Sequence, residues 1–203
     1  MRVLLVHGLA RTTGSLAGLS RALEAAGHRP RSFGYFAVTE SYDAIRARLV
    51  ADLTAMSADP APVALIGHSL GGLLLRHASA EVPSLNVHRL IMLGSPNRSP
   101  RSARLAARWG LWRMWSRSCG ELLASPEAYA RIPLPRVPYT LIAGTAGWHN
   151  PKGPFGDEPY DGFVAVSETK IRDDDVPSQF PVLHTFMMND PAVQSFVISL
   201  LAR

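Results

Sequence analysis

The chain has 203 residues, 47% of them apolar, enough for one globular domain with a buried core and no covalent staples. A single cysteine, Cys119, excludes an intramolecular disulfide framework, and no run approaches the ~20 apolar residues of a membrane span. The net charge of +5 raises nucleic acid as a partner, but residues 98 to 136 hold eight arginines against only Glu121 and Glu127, so one segment carries the whole excess and no nucleic acid partner is expected.

Residues 2 to 6 read as a buried strand, followed by His7-Gly8-Leu9-Ala10. That apolar run is too short for a secretory signal, so a cytoplasmic protein is expected. Leu16, Leu19 and Leu23 predict a helix from about Ser15 to Ala26, with Gly27 as its C-terminal cap. A short strand is predicted around Arg31 to Tyr35. Thr39 or Ser41 then caps a second helix carrying Ile45, Leu49 and Leu53, closed by Asp59-Pro60. A strand at 62 to 66, a helix from Leu70 to about Ala80 and a strand from His88 to Leu93 complete a strict alternation. Strands of continuous apolar character between helices predict an α/β fold with a parallel sheet covered on both faces.

Residues 97 to 136 interrupt that rhythm with Trp109, Trp112, Trp115, six arginines between 98 and 117 and several prolines. Arg101, Arg104 and Arg108 share one helical face, but Gly110 intervenes, so two short helices are expected there and not one rod. The segment is an insertion: either helices packed on the body, or a cap whose aromatics shape an acyl pocket. Its arginines would then face water or make weak contact with an anionic membrane surface. Tyr139 to Ala143 resumes the sheet, a Gly/Pro/Asp-rich loop spans Gly144 to Gly162, and Phe163 to Ile171 alternates. Val176 to Leu183 is read as a last strand. Asp190-Pro191 starts a C-terminal helix with Val193, Phe196, Val197 and Leu200 inward.

The motif with chemical content is Val63-Ala64-Leu65-Ile66-Gly67-His68-Ser69-Leu70-Gly71-Gly72. A buried strand ends in G-x-S-x-G and a helix begins at once, the pattern of a nucleophile elbow. The pattern arises by chance in roughly one chain in fifteen of this length, so it needs partners. A serine requires a base and a group that orients the base. In a parallel sheet those groups sit on loops after the C-terminal ends of strands. His28 and His88 are read as preceding strands, His77 lies inside the helix after the serine, and the side chain of His68 should point elsewhere. His184, after the last strand, is the expected base, with His149 as its rival. Asp161 is the expected acid, because Gly162 frees the backbone to turn the carboxylate inward; Asp157 and Glu158 compete with it. Two backbone N–H groups are needed for an oxyanion. Leu70 supplies one, and Leu9 the other, or Ala10 through a shift of one. His7 and Gly8 support that loop.

Val6-His7-Gly8-Leu9, Gly67-His68-Ser69-Leu70-Gly71-Gly72, Asp161-Gly162-x-Val164 and His184 together resemble the lipase/esterase branch of the α/β hydrolases. The resemblance extends to Leu93-Gly94-Ser95-Pro96-Asn97-Arg98 and His184-Thr185-Phe186-Met187-Met188. It points to small bacterial proteins related to triacylglycerol lipases and GPI-inositol deacylases. It implies a Ser69–Asp161–His184 triad acting through an acyl-enzyme on a small-molecule ester with an apolar acyl chain, without cofactor. Thioesterase or acyltransferase activity uses the same residues, and a non-catalytic binding protein on this fold is the alternative from another class. Two departures stand out. Thr185 and Phe186 follow His184 where many secreted relatives carry an acidic calcium ligand, so no metal is expected. The first strand already bears the oxyanion loop, so a minimal sheet of about six strands is expected, with a cap at about 97–136.

Overall fold

Arg2–Val6 (β1) sends Leu4 and Val6 to one side and Val3 and Leu5 to the other, and all four are buried. A strand that is apolar on both faces must be covered on both. The computed structural model describes residues 1–108 and 117–202. In it β1 is joined by β2 (Arg29–Phe33), β3 (Val63–His68), β4 (Val87–Leu93), β5 (Tyr139–Gly144) and β6 (Ser178–Phe180). All neighbours are parallel, in the order β2-β1-β3-β4-β5-β6. Among the described residues the helices are α1 (Ala17–Ala25), α2 (Tyr42–Met56), α3 (Leu70–Ala80), α4 (Arg101–Arg108), α5 (Arg117–Ala124), α6 (Pro126–Ala130), α7 (Val166–Thr169) and α8 (Pro191–Leu201). None of the described helices is long and apolar enough to cross a membrane.

The two faces of β1 open onto two separate cores. Leu4 and Val6 join Leu65, Leu90 and Met92 under α2 and α3, through Ile45, Leu49, Leu53, Leu73 and Leu74. Val3 and Leu5 join Ile66, Ile91 and Ile142 under α1 and α8, through Leu19, Leu23, Val193 and Val197. The expected α/β fold, a parallel sheet of six strands with helices on both faces, is the fold of this chain.

Local signals behave as their chemistry dictates. Gly27 takes φ +80° after α1, Ser41 Oγ accepts the Ala44 N–H at the start of α2, and Asp190 Oδ1 accepts the N–H groups of Ala192 and Val193 ahead of α8.

Three elements differ from expectation, each at an edge or a short segment. β2 lies at Arg29–Phe33, earlier than predicted, because Tyr35 is turned inward to stack on His7. The last strand shrinks to Ser178–Phe180, since Pro181 has no N–H to continue the ladder. The alternating stretch contains a single helical turn, α7, whose Glu168 carboxylate accepts the Ala165 N–H. In α8, Leu201 is buried and Phe196 is only half-buried, against Phe180.

The insertion contributes α4, α5 and α6. Arg101 does not face solvent as expected. Its guanidinium pairs with Glu158 and, at 2.9 Å, with Glu168, which fastens α4 to the loop after β5. Arg76 of α3, 4% exposed, donates to the carbonyls of Ile132 and Pro133 and to Asn97, tying down the other end. Gly110 and the three insertion tryptophans, Trp109, Trp112 and Trp115, lie outside the described residues.

Candidate active site

The chain leaves β1 for β2 on one side and later returns to β3 on the other, so the crevice of the sheet opens at the C-terminal ends of β1 and β3. Two loops meet there: His7-Gly8-Leu9-Ala10 after β1, and the turn at Ser69 between β3 and α3.

Ser69 has φ +52° and ψ −122°, a strained conformation for a residue with a side chain. Its N–H donates to the Leu93 carbonyl at 2.8 Å, which holds the turn to β4. The surrounding glycines are there for space. A Cβ on Gly67 would lie 2.5 Å from the Gly72 Cα, and one on Gly71 would lie 2.5 Å from the His7 carbonyl oxygen and nearer still to that of Val6. Backbone cannot yield as a flexible side chain can. Gly71→Ala is therefore expected to destabilise the fold by about 3 kcal/mol or more. Gly14→Ala, whose added methyl meets nothing closer than Thr12 Oγ1 at 3.4 Å, should cost far less. Urea denaturation of the two variants measures the difference, and equal midpoints would refute the steric account.

The loop after β1 is braced by His7. Its Nδ1–H donates to the Gly8 carbonyl at 2.9 Å, which leaves Nε2 to accept the Tyr35 N–H at 3.4 Å. The Tyr35 hydroxyl donates to the His7 carbonyl at 2.8 Å, and the two rings stack at 4.2 Å. A Cβ on Gly8 would stand 2.9 Å from His68 Nδ1 and 3.0 Å from the Ser69 Cβ, so only glycine lets this loop reach the serine. Ala10 then takes φ +53°. Among the described residues no protein acceptor engages the N–H of Leu9 or of Leu70.

The third loop carries Asp161. Gly162 has φ +105°, and the turn it permits lets Asp161 Oδ1 accept the N–H groups of Phe163 (2.9 Å) and Val164 (2.8 Å). The other oxygen, Oδ2, accepts from His184 Nδ1 at 2.7 Å. The His184 N–H also donates to the Asp161 carbonyl at 2.8 Å, so the two residues are joined by both backbone and side chain. Asp161 is 1% exposed and His184 12%. Gly144, at the end of β5, makes room: a Cβ there would stand 2.7 Å from the Asp161 Cβ.

The competitors fall away on position. His149 pairs with Asp157 at 3.5 Å on the surface, with 68% and 83% of their side chains exposed. Glu158 is engaged by Arg101 and by the Ser167 N–H at 2.9 Å. His77 contacts the Tyr42 hydroxyl at 3.2 Å, and His88 lies within β4, not before it.

His68 does not point away as expected. Its Nε2–H donates to the His184 carbonyl at 3.0 Å, and its ring lies 4.7 Å from that of His184. Burial pushes its imidazole well below the usual histidine range, and the neighbouring His184 adds to the effect. His68 is thus neutral when folded, whereas in the unfolded chain it titrates near 6.5. As pH falls below that value the unfolded state binds a proton that the folded state refuses. Stability is therefore lost on acidification, at up to ~1.4 kcal/mol per pH unit from this one group. His7, also lowered by burial, acts in the same direction. Urea denaturation between pH 7 and pH 5 should show the loss, and His68→Gln should flatten it; an unaltered slope in that variant would count against the assignment.

Ser69, His68 and His184 line a cavity of about 560 Å³. Leu9, Pro96, Pro100, Ala103, Ala106, Leu123 and Val164 make most of its wall apolar. Ala103 and Ala106 of this wall come from α4 and Leu123 from α5.

The profile of the alpha/beta hydrolase family matches residues 3–200. The chain belongs to this family. No curated protein matches its sequence significantly. Among solved structures, this hydrolase is similar to the mature form of a Bacillus licheniformis lipase, with a TM-score of 0.70 and 17% identity over 98% of this chain and 91% of the other. It is also similar to a Paleococcus ferrophilus monoacylglycerol lipase (0.62, 18%, 98% and 94%) and to the thioesterase domain from the curacin biosynthetic pathway (0.62, 15%, 100% and 91%). At such identities the likeness is one of fold.

Proposed function

We propose that this alpha/beta hydrolase cleaves carboxylic esters through an acyl-enzyme on Ser69. The observation that carries the reading is the 2.7 Å contact of Asp161 Oδ2 with His184 Nδ1, at a cavity whose floor is a serine in strained backbone. Asp161 keeps the proton of His184 on Nδ1, so Nε2 has the lone pair a general base needs. Nε2 takes the Ser69 hydroxyl proton as Oγ attacks the ester carbonyl carbon. The N–H groups of Leu9 and Leu70 stabilise the resulting oxyanion, worth about 2.7–4 kcal/mol per donor. The proton on Nε2 passes to the departing alcohol. Water, deprotonated by the same nitrogen, then releases the carboxylic acid. His7 and Gly8 position the oxyanion loop, and His68 holds the His184 backbone.

The apolar wall supports an apolar acyl chain, with the 97–136 insertion acting as the cap that supplies much of it. The family profile supports hydrolysis as the class of reaction. The test is covalent labelling by a fluorophosphonate followed by peptide mapping. Ser69 should take the label in folded protein and remain unlabelled in protein unfolded before the probe is added. Absence of label from folded protein would favour a non-catalytic role for the fold. Product analysis with an added alcohol or thiol separates hydrolysis from acyl transfer.

A further inference from the structure

Among the described residues lining the Ser69 cavity, Arg11 is the only one with a permanently charged side chain. It directly follows Ala10, whose positive φ turns the chain at the end of the oxyanion loop. A guanidinium Nη of Arg11 donates to Thr185 Oγ1 at 2.9 Å, and Thr185 is the residue after His184. No carboxylate among the described residues pairs with Arg11. Asp161, the acid behind His184, does not line the cavity and is committed to His184 Nδ1 and two backbone N–H groups. Arg101 of α4, by contrast, has two acidic partners. A cation in a mostly apolar cavity with one neutral hydroxyl as its fixed partner keeps most of its donors for a ligand.

We infer that Arg11 is an anion subsite on the leaving-group side of Ser69, so that the preferred substrates are esters whose alcohol part carries a carboxylate or a phosphate. This rests on the hydrolase reading above. The side follows from chemistry. His184 returns its proton to the departing alcohol, so the alcohol part must lie beside His184, and Arg11 is tied to the neighbour of that residue. The acyl part is left with the apolar wall of Pro96, Pro100, Ala103, Ala106 and Leu123. Arg11 contacts substrate in this scheme and donates no proton; it is a specificity-determining residue.

The test compares matched aryl butyrates. 3-Carboxyphenyl butyrate and 3-carbamoylphenyl butyrate share shape and acyl group and differ in charge; 3-phosphonophenyl butyrate supplies the phosphate-like arm. The ratio of kcat/KM for the carboxylate or phosphonate ester to that for the carboxamide is the readout. In the unaltered protein at least one ratio should exceed unity and fall with added salt. In Arg11→Gln that ratio should drop about ten- to a hundredfold, the range of a charge-assisted hydrogen bond, and Arg11→Lys should recover part of it. Which anionic ester leads distinguishes a carboxylate from a phosphate substrate. A ratio that Arg11→Gln leaves unaltered overturns the subsite. A preference instead for 4-nitrophenyl hydrogen glutarate over 4-nitrophenyl valerate would overturn the placement on the leaving-group side. Failure of all esters together with absent Ser69 labelling refutes the hydrolase reading itself, which is a different result.

Discussion

Ser69→Ala should reduce turnover of 4-nitrophenyl butyrate by roughly a millionfold in kcat, the scale on which a triad enzyme loses its nucleophile. Among the described residues the other hydroxyls near the cavity are engaged elsewhere, Thr185 by the Arg11 guanidinium at 2.9 Å. Ser95 is 1% exposed and directed at the Gly67 carbonyl, and Ser102, although it lines the cavity, donates to the Phe163 carbonyl at 2.6 Å. The fold should persist, because alanine at φ +52° carries the same Cβ strain as serine and the turn is held by the backbone bond to Leu93. A urea midpoint within about 0.5 kcal/mol of the parent would show that activity and stability have been separated. Ser69→Gly makes a useful companion. It removes the strain as well as the hydroxyl, and should stabilise the chain by about 1 kcal/mol while being equally inactive. A variant at Ser69 that retains turnover would move the nucleophile elsewhere.

Asp161→Asn should lower kcat by roughly ten-thousandfold. The amide is nearly isosteric, and its oxygen can still accept the N–H groups of Phe163 and Val164. Its NH2 group then faces His184 Nδ1, where it can only donate. That forces the imidazole proton onto Nε2 and removes the lone pair that takes the Ser69 proton. The contrast is Asp157→Asn, which disturbs only an exposed pair with His149 and should leave kcat within about twofold, since such surface pairs are worth little. Reversal of this order would hand the orienting role to Asp157. A similar loss in both would mean that the loop as a whole, and not one carboxylate, supports the base.

Much of the architecture was open to a reading of residues. Apolar runs at 2 to 6, 62 to 66 and 88 to 93 announce a sheet buried on both faces, and the strands found there, Arg2–Val6, Val63–His68 and Val87–Leu93, are covered on both. Errors gathered where the apolar pattern is weak. β2 is an edge strand with exposed arginines, and β6 pairs over three residues only, so neither is written by burial. At the site, Gly162 pointed to Asp161 because a left-handed glycine is a local property of the chain. His68 departs from expectation because its position depends on a carbonyl 116 residues away. Arg11 and the Arg101–Glu158–Glu168 cluster carry no local signal at all: their partners lie 57 to 174 residues away.

The sequence by itself determined what short-range sterics and burial determine: a parallel α/β sheet, an elbow that tolerates only glycine around Ser69, a loop at His7-Gly8, and the chain order serine, aspartate, histidine. The tertiary structure alone decided which acid meets His184, what His68 does, which of the described residues wall the cavity and where Arg11 stands among them. The physical reason is range. Backbone strain and apolar periodicity act between neighbours and are written along the chain, whereas a 2.7 Å hydrogen bond between Asp161 and His184 exists only once β3, β4, β5 and β6 have stacked in register and brought their C-terminal loops to one crevice.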